Sequence, residues 1–289
     1  MGTSPIQFAE KGSCSLKLTV RGEGGHASVH NKDNPIAKLG AVAHKMANVR
    51  LPVRINAFNT ASIEAIASIL PFPKSTIFRR LLSPYFTDII LDHLLTEEQI
   101  NTLSPLLRNT ANPTIIGGGD LPNQIPSSAW MTVNGRILPG CTVDDVVEDV
   151  KQMIGVDHFE LKEGLNGEEI PPEMTLEVSC SCSSVGEDLN DPVCKEVMAV
   201  IGETVARHAN GAPILPLMIP GSTDSLNYSR NPRKKPVCLG FTPVRFPPGM
   251  KFSKLFHGLN ERIPVEGFKW GIHVLADVVF ELCDAKFDS

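Results

Sequence analysis

Apolar and polar residues alternate strictly from Ser13 to Arg21, with Cys14, Leu16, Leu18 and Val20 on one side and Ser15, Lys17, Thr19 and Arg21 on the other. A period of two predicts a strand with one buried face. Asn34-Pro35 then opens a helix that runs to about Asn48, with Asn as the N-cap and Pro in the first turn. Thr114 to Ile116 reads as a short strand. A longer one follows, in which Ala129, Met131 and Val133 alternate with Trp130, Thr132 and Asn134 and which ends at Pro139-Gly140. Thr142 caps a helix over Val143 to Ile154, and Met174 to Cys180 reads as a last strand. From Ala61 to Leu107 the pattern is helical in short pieces, with a capping box at Thr96-Glu97-Glu98-Gln99. Treating about 55–110 as an insertion leaves strand-helix-strand-strand-helix-strand over 13–182, the ferredoxin-like order. Met1 to Gly12 reads as a leader or linker.

Ser181 to Asn190 reads as a linker into a second unit, residues 190–289. Asp191-Pro192 opens a helix carrying Val193, Val197, Val200 and Ile201. Ile214 to Ile219 and Pro236 to Phe241 are strand-like runs. In the final helix Phe268, Ile272, Leu275, Val279 and Leu282 recur at steps of four and three, which predicts that this face is buried. The expected fold class is therefore α/β, an α+β ferredoxin-like unit followed by part of an α/β layer.

Composition narrows the partners. Among 289 residues, 42% apolar and 20% charged is the balance of a soluble globular chain, and a net charge of −5 argues against nucleic acid or an anionic membrane. The one basic cluster, Arg230 to Lys235, is short and reads as a solvated loop. Seven scattered cysteines include one close pair, Cys180-x-Cys182, spaced too tightly for a zinc knuckle. Cys14, Cys180, Cys182, Cys194, Cys238 and Cys283 lie in apolar or strand-like contexts and read as buried reduced thiols, which points to a reducing, cytoplasmic compartment. No transmembrane run or signal peptide is visible.

Chemistry concentrates in a few motifs. His257 sits in Phe256-His257-Gly258-Leu259-Asn260-Glu261, on a polar loop running into the last helix, a setting suited to a metal ligand or general base. Pro220-Gly221-Ser222-Thr223-Asp224-Ser225 follows a strand-like run. Gly221 lets backbone approach a ligand, and the amides and hydroxyls of Ser222 and Thr223 can donate to it. Upstream lie Val20-Arg21-Gly22-x-x-Gly25-His26-Ala27-Ser28, Gly118-Gly119-x-x-Pro122-Asn123-Gln124-Ile125-Pro126, and Val133-Asn134-Gly135-Arg136-Ile137-Leu138-Pro139-Gly140. Strand period places Asn134 and Arg136 on one side, where a guanidinium can clamp a carboxylate. Taken singly, His26 and His257 read as surface histidines; the order of the motifs is what carries information.

That order, from about Gly12 to Leu282, resembles the di-zinc aminoacylase/carboxypeptidase family, the M20-type peptidases and their deacylase relatives. The resemblance implies a ferredoxin-like lid that also forms a homodimer, and hydrolysis of an amide next to a carboxylate-bearing residue in an N-acyl amino acid or dipeptide. It implies that His257 ligates one of two zinc ions and that His26 reaches the partner subunit's site to stabilise an oxyanion. Arg136, with Asn123 and the Gly221-Ser222-Thr223 loop, would hold the substrate carboxylate. Asn134 stands where many members carry Asp, although larger carboxypeptidase-like members share Val-Asn-x-Arg, and the helical insertion suits that branch too.

The family's other metal ligands precede its lid, in a His-x-Asp motif and a catalytic Glu-Glu pair. This chain has no His-x-Asp, and its Glu-Glu pairs, Glu97-Glu98 and Glu168-Glu169, fall in a capping box and a lid loop. The expectation is a chain that begins just before the lid and does not hold zinc stably by itself. Two functions follow: a family hydrolase whose catalytic set is incomplete here, or a non-catalytic lid and half-domain that acts by dimerisation or association.

Overall fold

The computed structural model describes residues 3–160, 162–163, 169–170, 172–229, 236–250, 255 and 258–284. In chain order the strands are β1 (Ser4–Glu10), β2 (Gly12–Arg21), β3 (Gly25–His26), β4 (Thr110–Gly117), β5 (Gln124–Ile125), β6 (Ser128–Ile137), β7 (Lys162–Glu163), β8 (Glu169–Ile170), β9 (Met174–Cys182), β10 (Val185–Gly186) and β11 (Ile214–Ile219). The helices are α1 (Pro35–Asn48), α2 (Ala57–Ser68), α3 (Lys74–Arg80), α4 (Pro84–Leu94), α5 (Glu97–Leu103), α6 (Val143–Ile154), α7 (Pro192–His208), α8 (Ser225–Ser229) and α9 (Val265–Asp284).

The alternation in β2 and β6 does what period two predicts. The strands pair antiparallel from Gly12↔Ile137 to Arg21↔Ser128, and the sheet runs β4-β6-β2-β9. This is the ferredoxin-like strand order expected from the element pattern. Leu16, Leu18, Val20, Met131 and Val133 are at most 0% exposed and meet Leu39, Val42 and Met46 of α1 and Val146 and Val150 of α6 in one core. Each of these helices begins where its cap places it. Asn34 Oδ1 accepts from the amide of Ile36 at 2.9 Å, and Thr142 and Asp145 form a reciprocal capping box. Hydrogen bonds from Thr142 hold the Asp145 carboxyl below its ordinary value.

Three of the expectations about elements fail, each for a physical reason. The supposed leader is a strand: β1 lies between β10 and β11, parallel to β11 from Ser4↔Ile214 to Glu10↔Ile219. Ile6, Phe8 and Ala9 are buried, so the strand is covered on more than one side and shows no alternation to read. Pro236 to Phe241 does not form a strand; Gly240 alone makes a bridge to Gln7, with both amides donating at 2.8 Å.

The third concerns α9. Its buried positions are Gly267, Gly271, Val274 and Val278, while Phe268, Ile272, Leu275 and Val279 are about half exposed and Leu282 is partly buried. The glycines decide this. A Cβ on Gly267 would stand 1.9 Å from the Arg245 carbonyl oxygen and one on Gly271 1.7 Å from that of Pro243. The segment 243–245 therefore lies directly on the glycine face, and Arg245 stacks on the Trp270 ring at 4.0 Å. Close backbone approach outbids the larger side chains for the contact face.

The helical insertion forms α2 to α5 and docks on the second sheet. Ile63, Leu81, Leu91 and Leu107 share a core with Phe8, Ala9 and Met218. A third core joins Ile6 to Ile201 and Val205 of α7 and to Val274 and Val278 of α9. The chain passes from one sheet to the other at Glu10-Lys11-Gly12 and returns at 183–184. These two connections run side by side, and a Cβ on Gly12 would lie 2.4 Å from the Cys182 oxygen and 2.5 Å from the Ser184 nitrogen.

Cys14 and Cys194 are buried as expected, and burial pushes the Cys14 thiol up to about 11. Cys180 and Cys283 are exposed, and Cys182 and Cys238 only partly buried, contrary to the contexts that suggested burial; β9 is an edge strand, exposed throughout 177–181. Among the described residues no helix is long and apolar enough to cross a membrane. The basic run 230–235 lies outside the described residues.

Candidate functional site

The motif residues fall into two places. At one end of the lid, β3 and β5 form a short ribbon with Gly25↔Ile125 and His26↔Gln124, and the Ala27 amide donates to the Asn123 carbonyl at 3.0 Å. His26 and Asn123 are thus neighbours, and both are exposed. His26 Nδ1 accepts from the Ser28 amide at 3.3 Å and lies 2.7 Å from Ser28 Oγ. An Nδ1 that accepts from an amide assigns the proton of the neutral ring to Nε2, which leaves an N–H donor on the far side.

The loop carrying His26 is braced from within. The Glu23 amide donates to Asp33 Oδ2 at 2.7 Å, Asn31 Nδ2 donates to the Glu23 carbonyl at 2.7 Å, and Gly22 N–H bonds Ser127 O at 3.0 Å. Lys38 joins Asp33 to Glu173, and its hydrogen bond holds the Asp33 carboxyl below the usual carboxylate range. A cleft of about 420 Å³ opens beside the ribbon, lined by Gly118, Gly119, Gln124 and Trp130 among others.

Arg136 lies at the far end of β6, the strand that follows the ribbon. It pairs with Ser13, eight positions from the Arg21↔Ser128 pair, or about 26 Å along a strand rising roughly 3.3 Å per residue. Asn123 therefore belongs with His26 and does not complete a clamp with Arg136 within one chain. Arg136 instead meets the glycine loop: its Nη1 donates to Ser222 Oγ at 3.2 Å, which joins two motifs 86 residues apart. The resemblance placed both motifs in one site, and the fold brings them into contact.

The loop hydroxyls are used differently from expectation. Ser222 Oγ donates to the Lys11 carbonyl at 3.0 Å. Thr223 gives both its amide and its hydroxyl to Glu10 Oε2, at 2.8 and 2.6 Å, and Gln7 Nε2 adds a third donor at 3.0 Å. These protons are spent on the protein: Ser222 supports Arg136 directly, and Thr223 ties the same loop to Glu10. Among the described residues Arg136 commits one N–H group to Ser222 and is partly exposed, so its guanidinium remains available at this end.

Glu10 and Lys11, which sequence reasoning passed over as linker, are both buried, at 2% and 0% exposure. Lys11 Nζ donates to the carbonyls of Pro105 and Arg108 at 2.9 and 2.8 Å. Burial, then the charge of Arg136, lowers its pKa to about 7. The one available signal was an adjacent Glu-Lys pair standing directly before a glycine and a strict alternation.

His257 lies outside the described residues. Among the described residues no group of three or more His, Cys, Asp or Glu is gathered to hold a metal ion, so the donors described do not fit a two-metal centre. Glu97 and Glu98 open helix α5, the place their capping box predicted.

Comparison with known proteins gives the family. The peptidase dimerisation domain of the M20 peptidases matches residues 8–162. The human N-fatty-acyl-amino acid synthase/hydrolase PM20D1 is 24% identical over 278 residues, covering 95% of this chain and 50% of that protein. The probable carboxypeptidase S-like 2 of Dictyostelium discoideum is 24% identical over 267 residues, with 91% and 46% covered. The chain thus spans about half the length of the curated relatives it matches. Among solved structures, the dipeptidase Dug1p of Saccharomyces cerevisiae superimposes with a TM-score of 0.55 at 10% identity, over 96% of this chain and 56% of that one. The M20 metallo-carboxypeptidase Sso-CP2 of Sulfolobus solfataricus gives 0.53 at 14% identity, over 96% and 60%. These structures share the fold, and the domain match spans more than half of the sequence. The chain belongs to the M20 peptidase family.

Proposed function

We propose that this chain supplies the substrate-carboxylate anchor and a cross-subunit oxyanion donor of an M20-type amide hydrolase, acting on N-acyl amino acids or dipeptides. The observation that carries this reading is the contact of Arg136 on the lid with Ser222 on the second sheet. A guanidinium fixed by such a bracket is a ready partner for a carboxylate. The relatives described as N-fatty-acyl-amino acid hydrolase and carboxypeptidase support a substrate in which an amide adjoins a carboxylate-bearing residue.

Arg136 lies about 26 Å along β6 and β2 from the Arg21↔Ser128 pair that leads into the His26 ribbon, farther than one amino-acid head group reaches. This separation supports a homodimer in which the His26–Asn123 ribbon of one copy serves the Arg136 end of the other. There the His26 Nε2–H would donate to the oxygen that gains charge as the amide is attacked. The family's metal pair, zinc in this reading, supplies Lewis acidity and an activated water when bound. His257 is the residue assigned to it. The described residues do not fit that pair, so the roles assigned to this chain are binding, orientation and oxyanion donation, and the chain alone is expected not to turn substrate over.

Calorimetric titration with an N-acyl amino acid and with its primary amide tests the anchor. The acid should bind better, and Arg136→Ala should weaken acid binding about tenfold to a hundredfold, the range of a charge-assisted hydrogen bond, while leaving the amide unchanged. Equal affinity for acid and amide would overturn the reading. It would favour the alternative, a non-catalytic lid acting by association alone.

A further inference from the structure

We propose that Glu10 and Lys11, the consecutive residues at the joint between the two sheets, are positioning residues that hold Arg136 and its bracket in the carboxylate-binding arrangement. This rests on the reading of Arg136 as the anchor. Arg136 belongs to the lid and Ser222-Thr223 to the second sheet, so nothing local in sequence keeps them together. Their link runs through the joint: Arg136 Nη1 to Ser222 Oγ at 3.2 Å, Ser222 Oγ to the Lys11 carbonyl at 3.0 Å, and Thr223 to Glu10 Oε2 by two hydrogen bonds. Lys11 then turns its ammonium the other way and ties the joint to the helical insertion through the carbonyls of Pro105 and Arg108. One residue thus fastens three elements that meet nowhere else in sequence.

Two further observations favour a role beyond holding the fold. Glu10 concentrates three donors on Oε2, while Oε1 is buried and has no hydrogen-bond partner among the described residues. A fastening needed only for stability would be better served by a carboxyl with both oxygens paired. Two adjacent ionisable side chains, Glu10 and Lys11, are also buried at a point where the chain crosses between sheets, a place where apolar side chains would be cheaper. The arrangement preserves the placement of Arg136 at the expense of stability.

The test uses the whole chain and the same acid and amide pair. Glu10→Gln keeps the shape and an acceptor for Thr223 but removes the charge, and Thr223→Val removes the hydroxyl donor at an exposed position without entering the core. Each should reduce acid affinity about fivefold, the loss of roughly 1 kcal/mol when a charge-assisted bond is weakened or lost. Amide affinity should stay unchanged, and Thr223→Ser should restore acid binding because it returns the hydroxyl. A purely structural role predicts loss of both affinities together with a lower melting temperature, and that result would overturn the proposal. Wild-type discrimination with loss in Arg136→Ala, but an unchanged acid-to-amide ratio in Glu10→Gln and Thr223→Val, would sink this proposal alone. No discrimination in the wild type would remove the anchor, and this inference with it.

Discussion

Replacing Lys11 by Met should change the pH dependence of stability in a direction the structure dictates. The side chain is 0% exposed, its Nζ is held by two carbonyls, and its charged neighbours include Arg136 and Arg108, with Cys141 as the opposing group. Burial first, and Arg136 next, brings its pKa from 10.5 down to about 7. Between these values the unfolded chain binds a proton that the folded chain lacks. Stability contributed by this group therefore rises with pH across that window, with a limiting slope of about 1.4 kcal/mol per unit. Below pH 7 both states are protonated and the slope vanishes. Half-titration at the lower end reduces the gain between pH 7 and pH 9 to about 2 kcal/mol. Methionine has similar length and does not titrate, so the difference in stability between wild type and Lys11→Met should grow by that amount over the same interval. Urea unfolding of both proteins at pH 6, 7, 8 and 9 measures it, and all other titrating groups cancel in the difference. A difference constant within about 0.5 kcal/mol would show that Lys11 keeps an ordinary pKa, and the reasoning from burial would be wrong.

Other substitutions probe the fold at points where the structure and the sequence pattern disagree or agree. Ile272→Glu should change stability by no more than about 0.5 kcal/mol because the side chain is 52% exposed, whereas Gly271→Ala should cost about 1–3 kcal/mol by forcing a Cβ onto the Pro243 carbonyl; reversed outcomes in thermal unfolding would restore the face read from sequence. Asp149→Ala should destabilise by about 3 kcal/mol, since the buried carboxylate accepts from Arg54 and Asn109, and its loss leaves Arg54 with only the longer Asp145 pair and strips the Asn109 amide of this acceptor; denaturant titration checks it. Met131→Ala, in the middle of the lid core, should cost about 2–5 kcal/mol, and a smaller loss by the same assay would mean the site collapses around the gap. Sedimentation at increasing concentration should show a dimer that exchanges subunits, and a monomer at all concentrations would remove the cross-subunit role of His26.

Period and caps determined the lid. β2 and β6 each bury one face and leave the other polar, and Asn34 and Thr142 mark where α1 and α6 begin, so local chemistry and final fold agree there. The same clarity let the resemblance place His26, Asn123, Arg136 and the Gly221 loop on identifiable elements. What the sequence could not convey is anything decided by contact between distant segments. β1 carries no alternation because neighbours from 185–186 and 214–219 and packed helices cover it, and those neighbours are invisible in Ser4 to Glu10 itself. In α9 the hydrophobic stripe and the buried stripe differ, because two glycines admit the chain at 243–245 more closely than large side chains allow. The partition of the motifs into a ribbon end and an anchor end follows from strand length, which motif order does not encode. Glu10 and Lys11 acquire their importance only from the tertiary structure. Their partners lie some 90 to 210 residues away in sequence, and a charged pair becomes significant when the fold buries it.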